Sequence, residues 1–156
     1  MTRTADINIQ CAIIADGLPS TAQLYQWLQL ALQDRMADSE LTLRIVDEAE
    51  ITALNYRYRG KDGATNVLSF PYQPLPGVES GLLGDIVICA PVVAQEAVAQ
   101  SKSLEAHWAH ITIHGVLHLL GHDHQQAEQA GDMERLEAQL LGQIGFSDPY
   151  QPRVDS

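Results

Sequence analysis

The sequence predicts an α+β fold: a small mixed sheet of four strands packed with about five helices, all within a single domain spanning residues 1–156. Three observations predict it. Apolar alternation and helical stripes follow one another in the order β-α-β-α-β-β-α-α-α, an arrangement in which helices must cover a sheet. The third and fourth strands follow each other with no helix between them, which makes them an antiparallel pair. The helix expected over Leu104–Leu120 carries Ile111, Ile113, Leu117 and Leu120 on more than one face, so it should be central and buried.

Taken in order, Ile7–Ile14 is rich in β-branched residues and reads as the first strand. Ser20 with Gln23 forms a capping box. It opens a helix whose stripe of Leu24, Trp27, Leu28 and Ala31 runs to about Met36. Leu41, Leu43 and Ile45 alternate as a second strand, and Asp47 with Glu50 starts a short helix with Ile51 and Leu54 inward. The stretch Tyr56–Gly63 reads as a turn because of Gly60 and Asp62-Gly63. Asn66–Phe70 is the third strand, ended by Pro71. Tyr72–Leu83, with two prolines, is an exposed loop, and Asp85–Cys89 is the fourth strand. Pro91 suits the first turn of the helix that follows. After the buried helix, Gln125–Leu141 forms the last one, with Met133, Leu136 and Leu140 inward. The tail beyond about residue 145, with Pro149 and Pro152, is expected to fray.

Composition narrows the function. A length of 156 residues suits one domain with a proper core. A net charge of −11 speaks against a general nucleic-acid binder, which usually shows a basic balance, but leaves room for a local basic patch. Such a patch exists: Arg57, Arg59 and Lys61 supply three of the nine basic residues within five positions, beside Tyr56 and Tyr58. Cys11 and Cys89 lie in strands and are expected as buried free thiols. The N-terminus does not read as a signal peptide, and the longest apolar run, Ile86–Ala94, is too short to span a bilayer. A reducing cytoplasm is the expected compartment.

The richest stretch is His114–His124. On a helix, His114 and His118 stand four apart on one face, placed to grip one ion. Zinc needs three protein ligands and an open fourth position if it is to do chemistry. A helix offers no third residue that converges on the same point. Gly121 can end the helix and turn the chain back so that His124 approaches. Two alternatives stand beside this set. His110 with His114 is the other possible pair, since three histidines at successive i+4 positions span about 11 Å. His122 is the other possible third ligand, but it directly follows the glycine. The spacing H-x-x-x-H-x-x-G-x-x-H is that of the metzincin proteases, in which a catalytic Glu follows the first histidine. Here that position is Gly115, so the geometry of the ligands is kept and the peptidase base is missing.

These residues carry a family resemblance. The run His114-Gly115-x-Leu117-His118-Leu119-x-Gly121-x-Asp123-His124 resembles the signature of the YbeY family, bacterial metal-dependent endoribonucleases linked to ribosomal RNA maturation. Leu54-Asn55, Tyr58-Arg59-Gly60-Lys61-Asp62, Thr65–Pro71 and Leu83-Gly84-Asp85-Ile86 resemble further blocks of the family in the same order. His122 departs from the pattern, standing where the family often has tyrosine. The resemblance implies one zinc per chain on His114, His118 and His124, and a functional arginine at Arg59. It further implies a single-strand-specific nuclease acting on ribosomal RNA, on the 3′ end of the 16S molecule, and in ribosome quality control. Its partners would be ribosomal RNA and the ribosomal subunit or its proteins, with no membrane and no oligomer implied.

Within that frame Arg59 is the candidate catalytic residue, because a guanidinium binds phosphate bidentately. Arg57 and Lys61 are candidates for holding the RNA backbone. The general base is open between Asp85 and Asp123, with Asp123 more suited to orienting a ligand histidine. Two other classes compete: a ribosome-assembly factor with a mainly structural zinc, and a hydrolase of another substrate, proteases included. Gly115 argues against a protease, and the basic cluster argues for a phosphate-bearing partner.

Overall fold

The computed structural model describes residues 6–32, 40–72, 82–120 and 127–150, the stretch 127–130 in its backbone alone. Nine elements follow in the expected order: β1 (Asp6–Cys11), α1 (Thr21–Leu32), β2 (Glu40–Val46), α2 (Glu48–Arg59), β3 (Val67–Pro71), β4 (Leu82–Cys89), α3 (Ala90–Ala99), α4 (Leu104–Leu119) and α5 (Ala127–Gln143). The strands form one mixed sheet in the order β1-β2-β4-β3. β1 and β2 run parallel, as do β2 and β4, and β3 returns antiparallel against β4. The α+β reading and the antiparallel pair therefore hold.

Alternation along the strands sorts the core into two layers. Leu41, Leu43, Ile45, Ile86 and Ile88 face α1, α4 and α5 in one apolar cluster. Val46, Leu68, Val87 and Cys89 face the other way and are covered by α2 through Ile51 and Leu54. The helix α4 packs on β3 and β4 and touches α1, α3 and α5 as well, so the central position expected of it is the one it takes. Two glycines let it come that close. A Cβ on Gly115 would stand 3.0 Å from Ile86 Cγ2 and 3.3 Å from Val67 Cγ2. Gly84, at φ 138°, would drive a Cβ to 2.1 Å from the Phe70 carbonyl oxygen.

Helix starts are where the caps put them. Gln23 N–H donates to Ser20 Oγ at 3.1 Å and Ser20 N–H to Gln23 Oε1 at 2.9 Å, the reciprocal box expected at α1. Glu50 N–H donates to Asp47 Oδ1 at 2.9 Å.

Three expectations need correcting. Tyr56–Arg59 is not a turn but the last turn of α2; the turn starts at Gly60, whose left-handed φ of 65° ends the helix. Asn55, buried at that end, donates to the Gly63 carbonyl at 3.0 Å and ties the turn back to the helix. β3 does end at Pro71, which the edge strand includes as its last residue because a proline there forfeits no ladder bond. Cys11 is exposed rather than buried, at the end of the opposite edge strand, while Cys89 is buried as expected. Fraying beyond residue 145 does not extend over 146–150: Phe146 packs on the main core and the Tyr150 hydroxyl is tied into α5.

Candidate metal centre

The histidines His107, His110, His114 and His118 line one side of α4, with successive ring centroids 6.0, 6.2 and 6.3 Å apart. What organises them comes from α5. Met133, Glu137, Leu140 and Leu141 form the buried stripe of that helix, so Glu137 is a carboxylate at a core position, fully buried. Its Oε1 accepts from His114 Nδ1 and its Oε2 from the Tyr150 hydroxyl. The Tyr150 oxygen in turn lies 3.0 Å from His110 Nε2, which is also 3.5 Å from Glu137 Oε2. A consistent proton assignment follows: His110 donates from Nε2 to Tyr150, Tyr150 donates to Glu137, and His114 donates from Nδ1 to Glu137. His110 Nδ1 is then the unprotonated nitrogen, and it is buried with no hydrogen-bond partner among the described residues.

The electrostatics agree with that assignment. Burial alone would raise the Glu137 carboxyl, but hydrogen bonds from His110, His114 and Tyr150 outweigh it and bring its pKa down to about 2. Glu137 is therefore a buried carboxylate anion. Burial and the same carboxylate raise the Tyr150 hydroxyl, which keeps its proton. Further along α4, His107 Nε2 lies 3.0 Å from Glu96 Oε1, which Asn66 also contacts at 3.1 Å. Burial lowers the pKa of His107 despite that partner, so the ring is neutral.

The arrangement fits a metal in two ways. His110, His114 and Glu137 present one ligand atom each within 4.8 Å of one another and could hold an ion among themselves. Alternatively, Glu137 fixes His114 in the tautomer protonated at Nδ1, which makes Nε2 the basic nitrogen. A carboxylate behind a histidine is the usual support for a metal-bound imidazole. His118 stands one turn further on. His124, with Gly121, His122 and Asp123, lies outside the described residues.

On the other face of the sheet, Arg59 ends α2 with Arg57 and Tyr58 beside it. The Arg57 guanidinium sits 5.5 Å from the centre of the Tyr58 ring, and Tyr58 packs edge-on against Phe70 of β3 at 5.2 Å. The preceding residue of that strand faces the opposite way: Ser69 donates to the Gly115 carbonyl at 2.9 Å. The edge strand β3 thus stands between the end of α2 and the histidine-bearing part of α4. Asp85 pairs with Phe70 across the ladder and shares its face, on the α2 side of the sheet. Lys61 follows Gly60 in the turn and is exposed.

Residues 15–145 match the family model for the endoribonuclease YbeY. The chain belongs to the YbeY endoribonuclease family. The endoribonuclease YbeY of Xanthomonas campestris pv. campestris is 52% identical over 149 residues, covering 93% of this chain and 92% of that one. The solution structure of TM1509 from Thermotoga maritima resembles the fold with a TM-score of 0.57 at 26% identity, covering 94% of this chain and 99% of that one. Glu137, which orients a histidine of the family's signature, is the residue the sequence reading missed. Its signal was a charged side chain on the apolar stripe of α5.

Proposed function

We propose that this protein is a single-strand-specific, zinc-dependent endoribonuclease that acts in ribosomal RNA maturation, including the 3′ end of 16S RNA, and in ribosome quality control. It works in the cytoplasm with ribosomal RNA and the ribosomal subunit or its proteins as partners. One zinc per chain is held by His114, His118 and His124. The observation that carries the reading is the buried Glu137 carboxylate on His114 Nδ1, in a chain of the YbeY endoribonuclease family. Glu137 is the supporting group rather than a ligand in this scheme, since both its oxygens already accept from His114 and Tyr150. An ion on His110, His114 and Glu137 would have to displace those protons.

When bound, zinc supplies a Lewis acid for a phosphoryl oxygen and lowers the pKa of a coordinated water. The chain's own residues do the rest. Glu137 holds the His114 ring in one tautomer. Arg59 grips a phosphate through its planar fork and meets charge that grows in the transition state. Arg57 and Lys61 hold the backbone to either side. An RNA strand crossing the β3 edge can meet both the α2 end and the α4 histidines. Among the described residues no helix is long and apolar enough to cross a bilayer.

The test is cleavage of structured ribosomal RNA, with and without chelator, by nuclease-free protein and its variants. Arg59→Ala should retain zinc and thermal stability and lose cleavage about 10²–10³-fold, the scale of one lost transition-state contact. Arg59→Lys, which keeps the charge but not the fork, should recover only part. His114→Ala should lose both metal and activity. Parental cleavage by zinc-loaded Arg59→Ala would remove Arg59 from the mechanism. The alternative reading is an assembly factor with a structural zinc, and it draws on Glu137, which links α4, α5 and Tyr150 from full burial. It predicts no chelator-sensitive cleavage, with folding lost instead.

A further inference from the structure

The inward stripe of α2 runs past the sheet it covers. Ile51, Leu54 and Tyr58 lie at i, i+3 and i+7 on one face. Ile51 is fully buried and Leu54 packs beside it, but Tyr58 reaches β3, the last strand, and remains 58% exposed. Its ring is nonetheless held. Phe70 supports it at 5.2 Å and the Arg57 guanidinium layers on it at 5.5 Å. The Gly60 cap and the bond from Asn55 to the Gly63 carbonyl fix the helix end that carries it. Arg57, Arg59 and Lys61, a third of the chain's cations, lie within three residues of it in sequence, in a protein of net charge −11.

We propose that Tyr58, buttressed by Phe70, is a stacking platform for one unpaired base of the RNA, beside the phosphate held by Arg59. This rests on the nuclease reading and gives it a physical source of single-strand preference. A base can lie against the exposed side of the ring or on the guanidinium layered over it, and only an unpaired base has a face to offer. Those cations then neutralise the phosphates to either side of that base. A protein partner fits the site less well, since the exposed ring carries the Arg57 guanidinium and two more cations follow within three residues, while the rest of the chain is acidic.

The experiment measures affinity of the zinc-loaded protein for fluorescein-labelled single-stranded oligouridine and for the same chain of abasic ribose phosphates. Base–aromatic stacking is worth enough that Tyr58→Ala should weaken oligouridine binding by about 5- to 100-fold. Tyr58→Leu, which keeps an apolar contact with Phe70, should weaken it similarly, and Tyr58→Phe should bind as the parent does. Affinity for the abasic chain should not change in any of them. Tyr56→Ala is the control: Tyr56 is 65% exposed but lies about 200° round the helix from Tyr58, and its loss should change nothing. Parental binding with equal affinity in Tyr58→Leu overturns the platform alone and leaves the nuclease reading standing. Equal losses for oligouridine and abasic chain also overturn it, because the effect is then on the backbone. Failure of the parent itself to bind either RNA overturns the nuclease reading and this inference with it.

Discussion

Replacing Glu137 tests the network that the histidines depend on. In the fold this carboxylate accepts from His114 Nδ1 and the Tyr150 hydroxyl, with His110 Nε2 at 3.5 Å, and none of it is exposed. A hydrogen bond to a charged group contributes about 1.5–3 kcal/mol. Glu137→Ala removes two and leaves buried donors facing a void, a loss of about 3–5 kcal/mol. That is a large part of the 5–15 kcal/mol typical of a domain, so the alanine variant is a poor working protein. Glu137→Gln is the better probe. It keeps the volume and one acceptor for His114, and the Tyr150 hydroxyl can turn round to accept from the amide. The charge is lost and the bond to His110 weakens, which together should cost about 2 kcal/mol.

Urea unfolding of the metal-stripped protein reads that number directly. Zinc affinity, read by competition with a chromophoric chelator, should fall by about 10- to 100-fold, as expected when an outer carboxylate is removed. If Glu137→Gln unfolds within about 0.5 kcal/mol of the parent, the carboxylate does not accept these bonds in solution and the reasoning fails. If it binds no zinc while His118→Ala binds a full equivalent, the ion sits on His110, His114 and Glu137, and the proposed ligand set is wrong.

Three further outcomes are expected. Burial lowers the folded-state pKa of His107, so its contribution is complete above the ordinary value of 6.5 and lost as pH falls through the folded one; between about pH 7.5 and 5.5, unfolding free energy should fall less in His107→Gln than in the parent, and identical pH profiles would refute this. Gly84→Ala should cost about 3 kcal/mol or more in denaturant unfolding, because its Cβ would meet the Phe70 carbonyl oxygen at 2.1 Å in a backbone conformation that suits only glycine; a soluble variant of parental stability would show that β3 shifts freely. RNA affinity should depend weakly on salt, with a slope set by a handful of phosphates, since the protein as a whole is acidic; a steep slope would mean a basic surface other than the α2 end.

Local patterns in the sequence carried most of the fold. The caps at Ser20 and Asp47, the glycine after Arg59 and the two-sided apolar content of α4 each act within a few residues, and each element they define is present. What the sequence did not disclose depends on distant partners. The strand order follows from how crossovers pack, not from any one strand. Arg59 read as part of a turn because Gly60 and Gly63 dominate that stretch, while only tertiary cover on Ile51 and Asn55 carries α2 on to residue 59. The placement of His114 beside His118 was legible because both lie on one helix. Its support was not, because Glu137 lies 23 residues beyond His114 on another helix and Tyr150 beyond that.

Gly115 joins the two kinds of information. In the sequence it marks a missing base: where a metzincin carries glutamate, this chain has no side chain at all. In the fold the direction of that missing side chain is defined. A Cβ there points at Ile86 and Val67, with Ser69 Oγ 3.7 Å away, and the Gly115 carbonyl is already held by Ser69. A glutamate at this position would press its carboxylate into the methyl groups of the sheet, where a charge is costly without a partner. It would also push α4 away from β3 and β4, the contact that brings the histidines to the strand on which Tyr58 packs. The close packing that assembles this site therefore excludes the peptidase base from the one position where the motif would place it. Gly115→Glu should yield an unstable protein rather than a protease.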